Sequence, residues 1–562
     1  MPVPSDLSCL RSDGRRLAFA ATATRRRNRR PAADGKTQTG LASSDRSAPR
    51  LLLSAALVFA AALAIRIAYA LTRPIPTTAD TGYYLMVAEN LYHGRGFVSD
   101  YAWNYLAGIP KALPAPSNEY WMPGSSVLFA GAFALVGHVS VRAAQMLSII
   151  FGAALCAVIA WTGGTLFRRR DVALLAGLLA AVNYYLVNLS LYPDHFMIAA
   201  VLVNLSLLAL WYAWSRSPLF ALAAGALCGL AYLVRTDGGL VGVVALVLAG
   251  ARLRTGDRGA AARLALGFVG AFVVVATPWW VRQVIVFGHP GGANALRTAF
   301  LIDYNDLFRL DQSQLTLGSY LQESAVLTWG LKGYALYRSL RLLVRTVLAI
   351  GLLAIGGLAL RDVRRVAMPF TLYLALGIAV PALLVPLPSI KGGLWHMMPG
   401  LLPTVFVLGS AAAVRLFDVA RGPKARITPA AAWVTIGLCA ACSGYWWVGQ
   451  GDPEHWTRPP YPPVASQAVR DLDPVPAAVL SDDVWDLYEA AHVPCAQFPM
   501  DGASAALRVA DAIGATYFVA SPNALQRIPA SKEVVGHPRF RLAASYPTDT
   551  APLLVFEILP PR

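Results

Sequence analysis

Apolar runs of similar length, separated by short polar breaks, fill most of the chain between residues 51 and 448. A bilayer core of about 30 Å takes about 20 apolar residues in a helix, and a helix satisfies its own backbone hydrogen bonds, so these runs read as membrane-spanning helices. The expected spans are 51–72, 142–166, 172–190, 195–214, 218–234, 238–251, 264–287, 339–360, 367–387, 396–414 and 428–448, with 218–234 and 238–251 short enough to form one hairpin. Residues 123–137 (PGSSVLFAGAFALVG) are also apolar. At about 15 residues they fall short of a normal span and read as an interfacial or re-entrant helix.

Charge placement decides that choice. Arg and Lys stay on the cytoplasmic side of a membrane. Eleven spans with the N-terminus inside put the clusters at Arg168–Arg170, Arg252–Arg263, Arg361–Arg365 and Arg415–Arg426 in the cytoplasm, together with the basic tail at Arg25–Arg30. Counting 123–137 as a span would place Arg168–Arg170 outside. The loops 73–141, 191–195, 288–338 and 388–396 are then extracytoplasmic, and so is the C-terminal region. The net charge of +17 therefore marks topology rather than nucleic-acid binding, and 56% hydrophobic with 14% charged residues excludes a set of soluble domains.

The ends of the chain differ from its middle. Residues 1–50 read as a disordered basic cytoplasmic tail, since LAFAATAT at 17–24 is too short and weakly apolar for a secretory signal. Residues 51–450 form the transmembrane domain and 451–562 a separate extracytoplasmic one, opened by the linker PEHWTRPPYPP. There the apolar runs AAVLSDD, ATYFVAS and LLVFEIL read as strands, while 484–492 and 503–513 carry helical spacing. The expectation is a small α/β domain of roughly 100 residues. It has no Gly-rich phosphate loop and no nucleophile elbow. Of the six cysteines, Cys439 and Cys442 have CxxC spacing but lack a second ligand pair, so they read as packing residues, and Cys495 is alone in the C-terminal domain.

Ionisable residues inside or beside apolar segments are the candidates for chemistry. Asp80 opens the first external loop in PTTADTGYYLMVAENLYHGRGF, with Tyr84, Ala88 and Leu91 following at helical spacing. It is either part of a helix cap with Thr78 and Thr81 or a reactive acid at the membrane surface. Asp194 in YPDHF is a second external acid or a polar helix start, with His195 beside it read as a surface residue. Arg235 and Asp237 in LVRTDGG form either a mutual ion pair or, through Arg235, a phosphate contact. Lys391 and His396 in the external turn IKGGLWHMMPG either stabilise a phosphate leaving group or anchor the interface with Trp395. Glu119, Tyr120 and Trp121 shape an acceptor entrance or belong to an aromatic belt, and the acids Asp303, Asp306, Asp311 and Glu323 lie in a loop long enough to cover the site.

The order of these features resembles the polyprenol-dependent glycosyltransferases of the GT-C fold, in particular the protein mannosyltransferase and aminoarabinose transferase group (glycosyltransferase family 39-like). The resemblance runs from Asp80 with GYYLMVAENLYHGRGF, through YWMPGSSVLFAGAFALVG and VRAAQMLSIIFGAALCAVIAWTGGTLFRRRDVALLAGLLAAVNYYLV, to YPDHF, LAYLVRTDGGL and GGLWHMMPGLLP. It covers roughly 51–415. It implies a membrane enzyme moving a sugar from a polyprenyl-phosphate donor to a lipid, glycan or protein acceptor at the outer face of the cytoplasmic (inner) membrane. Asp80 maps to the catalytic or metal-linked carboxylate and would serve as base, with Asp194 at the second acidic position. Tyr84, Glu119, Arg235, Lys391 and His396 would bind substrate. A divalent metal is the candidate cofactor, but Thr81 stands where many relatives carry a second acid, so the sequence assigns no ligand set. The rival class, a polytopic transporter or lipid flippase, would place polar groups at mid-membrane in two related halves, whereas here they crowd the external edge. A structural assembly protein would tolerate loss of Asp80.

Overall fold

The fold comes from a computed structural model that describes residues 48–421 and 463–562, with interruptions at 77, 292–295, 475, 523, 549–550 and 562, and a few residues between 436 and 444. The expected tail, the linker, most of the span 428–448 and the Cys439–Cys442 pair lie outside the described residues. The helices are α1 (Ala48–Ala70), α2 (Ala79–Tyr92), α3 (Gly124–Val136), α4 (Val141–Phe167), α5 (Arg170–Val182), α6 (Tyr184–Leu189), α7 (Phe196–Ser215), α8 (Phe220–Val234), α9 (Leu240–Arg254) and α10 (Arg258–Phe287). Longer helices follow at Ala325–Ala359, Met368–Leu384 and Leu394–Arg421.

Every expected span up to 396–414 falls on helix, and the chain is a polytopic membrane protein. Among the described residues six helices are long and apolar enough to cross a membrane, while α8 and Met368–Leu384 are apolar but shorter. Two expected elements differ in detail. Residues 172–190 are two helices rather than one, because Asn183 breaks the run: its side chain accepts from Leu186 N (3.2 Å) to start α6 and donates to Thr346 O (3.0 Å). The turn expected at 388–396 is also largely helical and runs into Leu394–Arg421, interrupted at Gly392, whose φ of 135° suits only glycine. The Ala325–Ala359 helix bends by 108° between Val347 and Ile350.

Lipid offers no hydrophobic drive between helices, so close backbone approach does that work. Gly225 and Gly229 of α8 face α10: a Cβ at Gly225 would run into the Phe268 carbonyl, and one at Gly229 would lie 2.8 Å from Val275. Arg66 of α1 is fully buried and donates to Ser190 Oγ (3.0 Å), Ala62 O (3.1 Å), Ala181 O (3.3 Å) and Cys156 Sγ (3.4 Å). These neutral acceptors tie α1 to α4 and to the end of α5.

The C-terminal region is an α/β layer with six strands in the order β2-β5-β4-β6-β8-β7. They are β2 (Tyr101–Ala102), β4 (Val479–Ser481), β5 (Cys495–Gln497), β6 (Tyr517–Ala520), β7 (Phe540–Tyr546) and β8 (Leu553–Ile558), while β1 (Val98–Ser99) and β3 (Ala115–Pro116) form a separate pair. Strands β2, β5, β4 and β6 are parallel, and β8 and β7 close the sheet antiparallel. The three expected strands and both expected helices, Val484–Ala491 and Ala503–Ile513, are present.

The sheet also takes a strand from the loop 73–141, with Tyr101 opposite Cys495 and Ala102 opposite Ala496. Alternation along the strands divides the core accordingly. Leu480, Ala496, Phe518 and Phe556 face the helix Ala503–Ile513. Val479, Cys495, Val519 and Val555 share a cluster with Tyr83, Tyr84 and Val87 of α2, Phe129 and Phe133 of α3, and Ile198 of α7. One face of the α/β layer is therefore packed into the loop that carries Asp80. The loop before Ala325 closes over the strand ends, where Met500 N donates to Phe308 O (3.0 Å) and Leu310 N to Asp501 Oδ2 (2.5 Å). Its acids mostly hold turns: Asp303 accepts from Asn305 N (2.9 Å), Asp311 from Ser313 N (2.9 Å), and Asp306 pairs with Arg309 (3.1 Å).

Candidate active site

The N-terminus of α2 explains why Asp80 is available. Thr78, not Asp80, is the cap: its hydroxyl accepts from Thr81 N (3.1 Å), leaving the Asp80 carboxylate in the first helical turn with no capping duty. Asp80 Oδ2 lies 3.4 Å from His396 Nδ1, at the start of the Leu394–Arg421 helix. That start is held by the Tyr185 hydroxyl, which donates to Trp395 O (2.6 Å), and by Phe196 packed against Trp395 (4.9 Å between rings).

Asp194 is fully buried and over-determined by its neighbours. Oδ2 accepts from Thr81 Oγ1 (3.0 Å) and Thr78 Oγ1 (3.3 Å), while Oδ1 accepts from His195 N (2.6 Å). Thr81, at the position where a second acid was expected, thus binds an acid arriving from another loop. His195 is fully buried as well, which corrects its reading as a surface residue. Its Nδ1 contacts Asp194 Oδ1, its Nε2 lies 2.6 Å from Arg235 Nη1, and its ring lies 5.1 Å from that of His396 and 5.5 Å from that of Tyr84. A guanidinium only donates, so Nε2 is the acceptor and the neutral ring carries its proton on Nδ1, towards Asp194. An Asp-His dipeptide at the head of an apolar helix was the signal available in the sequence.

Arg235 makes its ion pair with Asp237 through Nε (3.0 and 3.1 Å) and Nη2 (2.6 Å) in addition to the histidine contact. The expected residues do not all converge. Lys391 is exposed with its ammonium 5.6 Å from the Tyr304 ring centroid, at the mouth rather than in the cluster. Glu119 lies 3.5 Å from His289 at the end of α10. Tyr84 is buried in an aromatic wall with Tyr83 and Trp121, and Trp121 stacks on Trp103 at 4.4 Å.

Burial and the nearby Asp194 charge hold the Asp80 carboxyl well above the usual carboxylate range, against a smaller opposite pull from Arg235. Burial raises Asp194 too, partly offset by the bonds from His195 N, Thr81 and Thr78. Burial, with Arg235 adding to it, pushes His195 well below its ordinary value. Asp237 pairs directly with the half-buried Arg235 guanidinium, whose positive charge also reaches Asp80 and Asp194. Asp80, His195 and His396 present ligand atoms within 4.8 Å of one another, a donor set that fits a metal ion once a His195 nitrogen exchanges its Arg235 contact for the metal.

No protein-family model matches the sequence, and no curated protein matches it. Solved structures do match in fold. The oligosaccharyltransferase AglB from Archaeoglobus fulgidus, in complex with an inhibitory peptide and a dolichol-phosphate, aligns with a TM-score of 0.52 and 13% identity, covering 83% of this chain and 69% of its own. The A. fulgidus oligosaccharyltransferase in complex with Zn and sulfate aligns at 0.54 and 14%, covering 88% and 72%. ArnT from Cupriavidus metallidurans, bound to undecaprenyl phosphate, aligns at 0.52 and 14%, covering 90% of this chain and 99% of its own. The chain therefore has the GT-C fold: a multi-pass helical bundle joined to a C-terminal α/β layer.

Proposed function

We propose that this protein transfers a sugar from a polyprenyl-phosphate donor to a hydroxyl of a lipid, glycan or protein acceptor, with Asp80 as the base. The observation carrying this reading is the convergence of Asp80, Asp194, His195, Arg235 and His396 at one end of an apolar bundle, under the α/β layer. The likeness to folds whose solved examples hold dolichol-phosphate and undecaprenyl phosphate supports a lipid-phosphate donor.

The acceptor oxygen attacks the anomeric carbon, its proton passes to the Asp80 carboxylate, and the carbon–oxygen bond to phosphate breaks with inversion. The polyprenyl phosphate leaves with the electron pair. An acid whose pKa is raised towards neutrality is a better base than an ordinary carboxylate. Asp194, fixed by two threonines and a backbone amide, holds the His195 tautomer and keeps Asp80 basic through its charge. Arg235 lends positive charge beneath the departing phosphate, and Lys391 meets it at the mouth. Asp80, His396 and a His195 nitrogen released from Arg235 would hold a divalent metal, whose chemistry there is charge neutralisation at the phosphate.

The positive-inside pattern supports a cytoplasmic N-terminus and an extracytoplasmic α/β layer in the inner membrane. A cysteine placed at exposed Glu489 should react with a membrane-impermeant thiol reagent in intact cells; protection there would reverse the orientation. The function is tested by transfer from a labelled polyprenyl-phosphate sugar in membranes carrying wild-type protein or Asp80→Asn at matched expression, with and without chelator. Transfer lost in the variant establishes the role of Asp80, and equal transfer refutes it.

A further inference from the structure

The end of α7 far from Asp194 carries a second built feature. The α7–α8 turn and the α9–α10 turn enclose a cavity of about 200 Å³ lined by Trp214, Ser215, Arg216, Pro218, Arg252 and Arg263 with neighbouring apolar atoms. The 20 residues of α7 span about 30 Å, so this cavity and the candidate active site lie on opposite faces of the bilayer.

Its electrostatics are one-sided. The lining contributes Arg216, Arg252 and Arg263, and the two turns that form it hold one carboxylate, Asp257. Asp257 is partly committed, since Oδ1 accepts from Ala260 N (3.1 Å) to cap α10, and Oδ2 lies 3.7 Å from Arg252. Arg252 is fixed in place: Nη2 donates to Trp214 O (2.6 Å), and the guanidinium stands 4.2 Å from the Trp214 ring centroid. Arg216, with its guanidinium 5.0 Å from the Tyr212 ring centroid, and the exposed Arg263 complete the cationic lining. Leu219 (73% exposed), Phe220 (42%) and Leu253 (55%) lie beside it, so the cavity opens where lipid meets water.

A cationic concavity with an apolar margin and a tryptophan at the bilayer edge suits a phosphate that carries acyl chains. We infer that this cavity holds the headgroup phosphate of an anionic phospholipid, with Arg216 and Arg263 making charge-assisted hydrogen bonds and Arg252 supplying fixed positive charge. The site is independent of the transferase reading.

The test uses full-length protein in neutral detergent, titrated with short-chain phosphatidylglycerol, phosphatidylcholine of the same chain length, or inorganic phosphate, and followed by thermal unfolding. Phosphatidylglycerol raises the melting temperature saturably, and phosphatidylcholine does not. Arg216→Gln with Arg263→Gln weakens that response roughly tenfold or more, as expected for two lost arginine–phosphate contacts. Arg254→Gln with Arg258→Gln, outside the cavity lining, leaves it unchanged. Equal responses to the two lipids, an unaltered response in the Arg216/Arg263 variant, or equal loss in the Arg254/Arg258 variant would each overturn the inference. An equal shift with inorganic phosphate would overturn the lipid as the source in favour of a soluble anion.

Discussion

Helix α7 begins beside Asp194 and His195 and ends beside Arg216, and its two ends handle charge in opposite ways. At the first, ionisable groups are partly or fully buried and packed against one another: Asp194 alone takes three hydrogen bonds. At the second, the charges are mostly exposed and belong to turns. Contacts gather the basic turns together there, with Arg169 on Asp418 (2.5 Å), Trp211 Nε1 on Val366 O (2.9 Å) and Arg252 on Trp214 O (2.6 Å). Solvated charge costs little and serves topology or surface binding, whereas buried charge persists only where the fold pays for it. The same residue types therefore mean different things at the two ends.

The largest expected effect separates reactivity from stability. Asp80→Asn should lower transfer by about 10² to 10⁴ while leaving the melting temperature at neutral pH no lower, because the carboxylate caps nothing and its burial is a cost. A variant that merely unfolds would break the contrast. Next, Asp194→Ala should cost about 1–3 kcal/mol in chemical denaturation, since it leaves Thr78, Thr81 and His195 N without their buried acceptor.

The pH dependence is smaller. A carboxyl with a raised folded pKa contributes stability that is complete below the ordinary carboxylate value of about 4 and is lost as pH rises through the raised one. Wild type should therefore lose stability relative to Asp80→Asn across that window, on the order of 1 kcal/mol, while transfer rises as the base deprotonates. A pH-independent difference would show that Asp80 titrates normally. The smallest effect belongs to the other end: Asp418→Asn should cost at most about 1 kcal/mol, because Arg169 keeps Asp171 at 2.5 Å.

Much of this was legible in the chain alone. Apolar run length determined the helices from 51–72 to 396–414, because a lipid-facing helix needs only its own residues to satisfy its backbone. Short apolar runs marked the strands around Leu480, Phe518 and Val555. Asp80, Asp194 and Arg235 stood out because charge in an apolar context is expensive. Three-dimensional packing alone decided the rest. It sent Glu119 to His289, left Lys391 at the mouth and buried His195, since none of these placements follows from neighbours along the chain. It set Thr81 on Asp194 across 113 positions, a bond no local pattern encodes. It also added Tyr101–Ala102 to the sheet, because a strand of two residues has too little sequence to announce itself and exists only where β5 offers it an edge.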